Sequence, residues 1–168
     1  MTISMYQASA PVLVQSLTAL ENILAKATAH AEKHDIDPVV LLESRLYPDM
    51  FPLTRQVQIA TDIAVRGVCR LAGDEPVSMP DTEKSFAQLS QRIAKAVAAI
   101  EAYQPQQIDG SEDRSIQLQL RSGEMNFTGQ QFLLSFVLPN LYFHITTTYA
   151  ILRHNGVSLG KADFLGAK

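Results

Sequence analysis

The sequence predicts a mainly α-helical fold, a bundle of four helices with a small β-hairpin inserted before the last helix. Apolar residues recur every three or four positions in four long stretches, which is the period of an amphipathic helix. Residues 114–128 instead alternate apolar and polar side chains, which is typical of two short strands. No repeat or flexible linker divides the 168 residues, so we expect a single domain over residues 1–168.

The first helix is predicted from about residue 4 to residue 33. Its apolar stripe consists of Leu13, Leu17, Leu20, Leu24, Ala27 and Ala31. Pro11 lies near the start, where it either kinks the helix or marks a slightly later beginning. Residues 35–53 contain three prolines and are predicted to form a connection with one short helical turn. Its apolar side chains are expected to pack against the helices: Leu46, Tyr47, Met50 and Phe51.

The second helix is predicted from Thr54 to Leu71, with Gly73 in the left-handed conformation that ends many helices. The residues of its inward stripe are Val57, Thr61, Ala64, Val68 and Leu71. The third helix is predicted from a cap at Asp81 to about Tyr103. Its stripe consists of Phe86, Leu89, Ile93, Val97 and Ile100.

The hairpin within residues 114–128 is predicted to turn at Ser122 and Gly123. The last helix follows from Gly129 to Asn155 and is apolar on almost every side. Its apolar residues include Phe132, Leu133, Phe136, Val137, Leu141, Phe143, Ile151 and Leu152.

This apolar surplus predicts a homodimer, because each helix of a small bundle keeps an outer face that must otherwise meet water. The tail, residues 156–168, adds Val157, Leu159, Phe164 and Leu165. We expect the tail to dock on the bundle or on a partner subunit.

Composition excludes several classes of function. The formal net charge of -3 leaves no basic stripe for a nucleic-acid backbone. No apolar run approaches the ~20 residues that cross a bilayer, and residues 1–10 do not resemble a signal peptide. Cys69 is the single cysteine, which excludes an intrachain disulfide and is typical of a reducing compartment. We therefore expect a cytoplasmic protein with no membrane or nucleic-acid partner, and a buried Cys69.

The candidate site lies on the last helix, where Asn140, His144 and Thr148 interrupt an apolar stripe. Buried polar side chains require hydrogen-bond partners. Two interpretations stay open. The patch lines a ligand pocket or supports a metal through His144, or His144 is a core histidine bonded to its neighbours.

Asp62 belongs to a polar row on the second helix, with Gln58, Arg66 and Arg70. It either contributes a carboxylate to a site that faces His144 or pairs with Arg66 on a solvated face.

The remaining histidines offer weaker candidates. His30 and His34 either grip one ion or lie exposed at a helix end, where the helix dipole favours them. His154 follows His144 on a different face of the last helix.

Segments distributed over nearly the whole chain carry a family resemblance. They are Pro48–Leu53, Arg55–Ala60, Asp62, Arg70–Gly73, Asp81–Glu83, Phe127–Gly129, Leu138–Asn140, His144, Thr146–Thr147, Tyr149–His154, Gly160–Lys161 and Asp163–Gly166. With these segments the chain resembles an uncharacterised bacterial family within the DinB-like, or YfiT-like, superfamily, whose members are regarded as metalloenzymes.

The resemblance implies an up-and-down four-helix bundle that is frequently dimeric. In this superfamily, thiol-dependent transferases and isomerases hold a divalent metal with one histidine of helix two and an HxxxH pair on helix four. His144 matches the first histidine of that pair. Its partner position is Thr148, and residues 58–63 contain no histidine.

We therefore expect no cofactor. The predicted function is a metal-free dimeric bundle that binds a small molecule or a protein partner through Asp62, Asn140, His144 and Thr148. The alternative is a divergent metal-dependent, thiol-transferase-like enzyme that holds zinc or nickel with His144, Asp62 and His154.

Overall fold

Four long helical stretches form where the sequence repeats apolar residues every three or four positions. The computed structural model describes residues 3–120 and 123–166. In chain order the elements are α1 (Met5–Ala8), α2 (Ala10–Lys33), α3 (Pro38–Leu42), α4 (Leu53–Ala72), α5 (Phe86–Glu101), α6 (Pro105–Ile108), β1 (Ser115–Leu120), β2 (Gly123–Thr128), α7 (Gly129–Phe132), a π-helical segment (Leu133–Val137), α8 (Leu138–His154) and α9 (Lys161–Leu165). The prediction of a mainly helical chain with one hairpin is confirmed.

The long helices pack around one apolar core. α4 packs against both α5 and α8, and α2 packs against α5. Ten of the apolar residues named in the predicted helices are buried: Leu17, Leu20, Leu24, Val57, Ala64, Val68, Leu89, Ile93, Val137 and Ile151. Cys69 is also buried, as predicted. The up-and-down order of the four stretches stays a prediction.

The first predicted helix is divided at Ser9, whose backbone leaves the helical region with φ -115° and ψ -83°. The Ser9 hydroxyl donates to the carbonyl of Met5 at 2.6 Å, which satisfies part of the broken turn. Pro11 lies in the first turn of α2, where a missing N–H costs no helical hydrogen bond. Of the two predictions for Pro11, the later beginning is confirmed.

The connection before α4 is less buried than predicted. Its short turn forms as α3, and Leu41 and Leu42 of that helix fill the core. Leu46, Tyr47 and Phe51 remain 42%, 66% and 55% exposed, so the expectation that they pack down is wrong. The reason is a backbone hydrogen bond of 2.9 Å from Leu53 N–H to the Ser44 carbonyl, which closes the segment between them into an outward loop.

α4 ends at Gly73, whose φ of 85° confirms the predicted left-handed cap. The predicted cap at Asp81 is wrong. α5 begins later, after Ser85, whose hydroxyl accepts from the N–H of Gln88 at 3.2 Å. Asp81 is not free to cap a helix, because Arg55 and Arg92 both bind its carboxylate.

The hairpin pairs β1 and β2 antiparallel, with Ser115 opposite Thr128 and Leu120 opposite Gly123. The predicted turn residue Ser122 lies outside the described residues.

The last predicted helix widens into the π-helical segment just before Pro139. The N–H of Leu138 donates to the carbonyl of Leu133, five residues earlier. A proline ring lacks an N–H and crowds the carbonyl of the preceding turn, which explains why the helical ladder changes spacing there.

Within the described part of the tail, α9 packs on α2 of the same chain. Asp163 of α9 pairs with Lys26 of α2 at 2.6 Å, and the Phe164 ring meets Tyr149 edge-on. Across residues 3–120 and 123–166, no helix has the length and apolar character needed to cross a membrane.

Candidate functional site

His144 is held between α8 and α4 by a defined hydrogen-bond chain. Its Nδ1 lies 2.7 Å from Oε1 of Gln56, and Nε2 of Gln56 donates to the carbonyl of Phe51 at 3.0 Å. Because the Gln56 amide is oriented by Phe51, Nδ1 of His144 carries the proton and donates it. Nε2 of His144 therefore keeps its lone pair.

Burial lowers the pKa of His144 from 6.5 to about 4, and the nearby charge of Arg55 acts in the same direction. The imidazole is therefore neutral at physiological pH. A neutral imidazole can accept a hydrogen bond or ligate a metal through Nε2.

The two polar neighbours of His144 on the stripe are satisfied within their own helix. Thr148 donates its hydroxyl to the carbonyl of His144 at 2.9 Å, and the Asn140 amide donates to the carbonyl of Phe136 at 2.7 Å. His144 itself bonds to the facing helix, through a residue, Gln56, that the sequence did not single out.

Asp62 lies on a different face of α4 from Gln56. Asp62 follows Gln56 by six positions, which rotates its side chain by about 240° around the helix axis and directs it toward α5. Its carboxylate lies 2.6 Å from Nη2 of Arg92 and 3.6 Å from Nη2 of Arg66. The structure therefore places Asp62 in an ion-pair cluster, while His154 is exposed at the end of α8.

These positions do not fit a zinc or nickel site. The described part of the chain contains no group of three His, Cys, Asp or Glu side chains arranged to hold a metal ion. His144 offers a buried imidazole, His154 is exposed at the end of α8, and the hydroxyl of Thr148 is a poor ligand for either metal.

Arg92 is the centre of a buried cluster that the sequence did not reveal as such. It is 3% exposed and binds Thr61 Oγ1 at 2.7 Å, Glu83 at 3.0 Å and Asp62 at 2.6 Å. A buried guanidinium requires such partners, because an unpaired charge in the core is costly. The burial of Arg92 could have been predicted from its spacing of three residues from Leu89 and four from Ala96, which puts it on the inward face of α5.

A second candidate site is a cleft of about 280 Å³ between α4, the hairpin and the π-helical segment. Three arginines of α4 line it, and we call it the arginine cleft: Arg55, Arg66 and Arg70. Its apolar wall comes mainly from Ile59, Ile63, Leu118, Phe132, Phe136 and Val137. Asp62 also borders this cleft.

The three arginines of the cleft differ in how many hydrogen-bond and ion-pair partners they have. Arg55 binds Asp81 and also donates to Gln58 Oε1 at 3.2 Å. Arg66 shares Asp62 with Arg92, and its buried Nε has no hydrogen-bond partner in the described ranges. Arg70 forms no ion pair with any residue that the structure describes. Burial and the charge of Arg66 lower the pKa of Arg70.

One of the two interpretations open for Asp62 is an ion pair with Arg66 on a solvated face. The pair is present, yet the row forms one edge of a cleft. A larger cavity of about 410 Å³ lies between α2, α8 and α9. No charged residue lines this cavity, whereas the arginine cleft offers charged groups that can orient a ligand.

Comparison with known protein families identifies the chain. The family described as a domain of unknown function, DUF1993, matches residues 5–165. The chain belongs to DUF1993. This DUF1993 chain is 42% identical to a DinB family member protein from Shewanella denitrificans, whose crystal structure was determined at 1.83 Å resolution. The TM-score is 0.88, and the match covers 97% of this chain and 92% of that chain.

The predicted resemblance to a DinB-like family of unknown function is thereby confirmed. A comparison of the DUF1993 chain with curated proteins finds no match.

Proposed function

We propose that this protein is a dimeric four-helix bundle that binds a small organic molecule in the arginine cleft and works without a resident metal ion. The observation that carries the proposal is the cleft itself, where cations without full partners meet an apolar wall. Ligand pockets combine these features, an apolar lining with a few polar groups that fix orientation. A π-helical segment beside the cleft agrees with this assignment, since such segments occur frequently at functional sites.

The alternative is a metal-dependent, thiol-transferase-like enzyme with His144, Asp62 and His154 as ligands. One contact favours it: Gln56 fixes the ring of His144 from behind, as acceptors commonly do for metal-bound histidines. The ion pair between Asp62 and Arg92 argues against it, because a metal would have to compete with a buried guanidinium for the carboxylate.

The test uses the full chain, purified without a histidine tag. Thermal unfolding is measured against a panel of small acids, amides and amines, with and without a chelator, and bound metal is quantified by mass spectrometry. We expect some panel members to raise the unfolding temperature, and zinc and nickel far below one equivalent. An ion near one equivalent, whose removal lowers the unfolding temperature, would replace this proposal with the enzyme.

Ile63→Phe provides the matched cleft variant. Ile63 is half-buried and borders the arginine cleft, so a larger ring at this position should occupy the space that a ligand needs. Panel members that stabilise the wild type should not stabilise the variant. Equal stabilisation of both proteins would locate binding elsewhere and contradict the proposal.

A further inference from the structure

The arginine cleft combines an anion-binding edge with an apolar wall. We propose that its ligand is a small monocarboxylate with an aromatic or similarly apolar body, whose carboxylate binds Arg66 and Arg70. This inference rests on the proposed function and names the class of ligand.

The anion-binding edge follows from the spacing and the pairing of two guanidinium groups. Arg66 and Arg70 lie one turn apart on the same face of α4, so both reach one ligand group. Asp62 does not neutralise them both, because its shortest contact, at 2.6 Å, is to Arg92. Glu75 attracts Arg70 without forming an ion pair within 4.0 Å. A carboxylate suits the planar fork of arginine, which donates two parallel hydrogen bonds.

The lowered pKa of Arg70 agrees with this reading of the charges. Burial is its larger cause, and the charge of Arg66 contributes in the same direction. An anion bound between Arg66 and Arg70 would screen the repulsion between these two cations, and the pKa of Arg70 would rise again.

The apolar wall determines the rest of the ligand. The rings of Phe132 and Phe136 stack with centroids 5.7 Å apart, and Phe136 is only half-buried where it borders the cleft. An aromatic ring of a ligand can extend this stack. The volume of about 280 Å³ is at the small end for ligand pockets, which favours a small molecule.

Asp62 also lines the arginine cleft and limits how many negative charges the ligand can carry. A second negative charge on the ligand would meet this carboxylate, and a phosphate chain would meet the apolar wall. A monoanion avoids both conflicts.

The experiment compares phenylpropionate with its neutral amide by isothermal titration calorimetry on the full chain. The acid is expected to bind about tenfold or more tightly than the amide, because only the acid forms charge-assisted hydrogen bonds. Arg70→Gln should weaken binding of the acid about tenfold and leave the amide unchanged. Arg153→Gln, an exposed arginine at the end of α8, is the control and should change neither.

Arg70→Lys keeps the charge and loses the fork, so its affinity for the acid should lie between those of wild type and Arg70→Gln. It also carries the test if Arg70→Gln does not fold. Equal affinity for acid and amide, or acid binding that neither Arg70 variant changes, overturns the carboxylate inference and leaves small-molecule binding in place. If phenylpropionate, the amide and every panel compound fail to bind, both proposals are wrong.

Discussion

His144 shows how a single buried side chain acquires a fixed protonation state. Phe51 orients the amide of Gln56, Gln56 accepts the Nδ1 proton of His144, and burial keeps the ring neutral. Each step depends on a contact between segments that are distant in sequence. The chemistry of the ring is therefore a property of the packed helices and the connection before α4, not of α8 alone.

This depressed pKa predicts a pH-dependent stability. In the unfolded chain His144 has a pKa of 6.5 and binds a proton below that pH. In the folded chain its pKa is about 4, so it stays neutral until the pH falls to that value. Stability contributed by His144 is therefore complete above pH 6.5 and is lost as the pH falls toward 4. Linkage gives a loss of about 2 kcal/mol between about pH 7 and about pH 5, measured by urea unfolding.

His144→Gln serves as the control, because it retains a polar side chain and removes the titrating ring. Carboxylates also titrate in acid, so the difference between the two proteins is the quantity of interest. Identical pH dependence of wild type and variant would show that folding does not change the pKa of His144.

At the scale of residues, the sequence predicted a polar patch but not its partners. Asn140, His144 and Thr148 were identified because they interrupt an apolar stripe. Gln56 was not, because the periodicity of α4 shows which residues share a face but not which face meets α8. Such pairings depend on the rotation of one helix against another, which only packing determines.

The elements were predicted well where one pattern dominates. The stripes of α2, α4 and α5 and the alternation in the hairpin determine their structure, because burying one apolar face satisfies every local preference. The break at Ser9 and the π-helical segment were missed. Both are local changes in hydrogen bonding that a period of three or four residues does not record.

The loop before α5 is fixed by a charge cluster that links two helices. Arg92 of α5 donates to Thr61 and Asp62 of α4. It also holds the loop by donating to the Pro80 carbonyl at 2.9 Å and to Glu83 at 3.0 Å. Gln58 of α4 donates to the same Glu83 at 2.9 Å. The cluster therefore holds α4, α5 and the loop in one arrangement.

Arg92→Met tests this role. The change leaves Asp62 and Glu83 partly buried without their shared cation, which should cost about 3–5 kcal/mol in unfolding free energy. Hydrogen exchange should also accelerate within residues 76–85, because the loop loses its main attachment. Arg153→Met is the control and is expected to change stability by less than about 0.5 kcal/mol. A similarly small loss for Arg92→Met would mean that solvent already screens the cluster.

At the scale of the whole molecule, exposed apolar side chains gather on the outside of α8 and on the connection before α4. Leu46, Tyr142 and Phe143 border a shallow depression on the outside of α8. Tyr47 and Phe51 are exposed on the connection that contributes Leu46. No lysine, arginine, aspartate or glutamate lines the depression among the described residues, so two copies can face each other there without repulsion between like charges.

We therefore expect a homodimer through this surface, which specifies side chains for the interface that the apolar character of residues 129–155 predicts. A stable interface should bury more than ~1,000 Å² in total, and an exposed aromatic near its centre should contribute most of the affinity. Phe143, which is 57% exposed, is that aromatic, so Phe143→Glu should convert a species of twice 18.5 kDa into one of 18.5 kDa. Sedimentation at micromolar concentration measures both. Val77→Glu, at an apolar residue of the loop before α5 that is 70% exposed, is the control that stays dimeric. A wild-type chain that sediments as a monomer would contradict the dimer, and binding in the arginine cleft would then have to occur within a single chain.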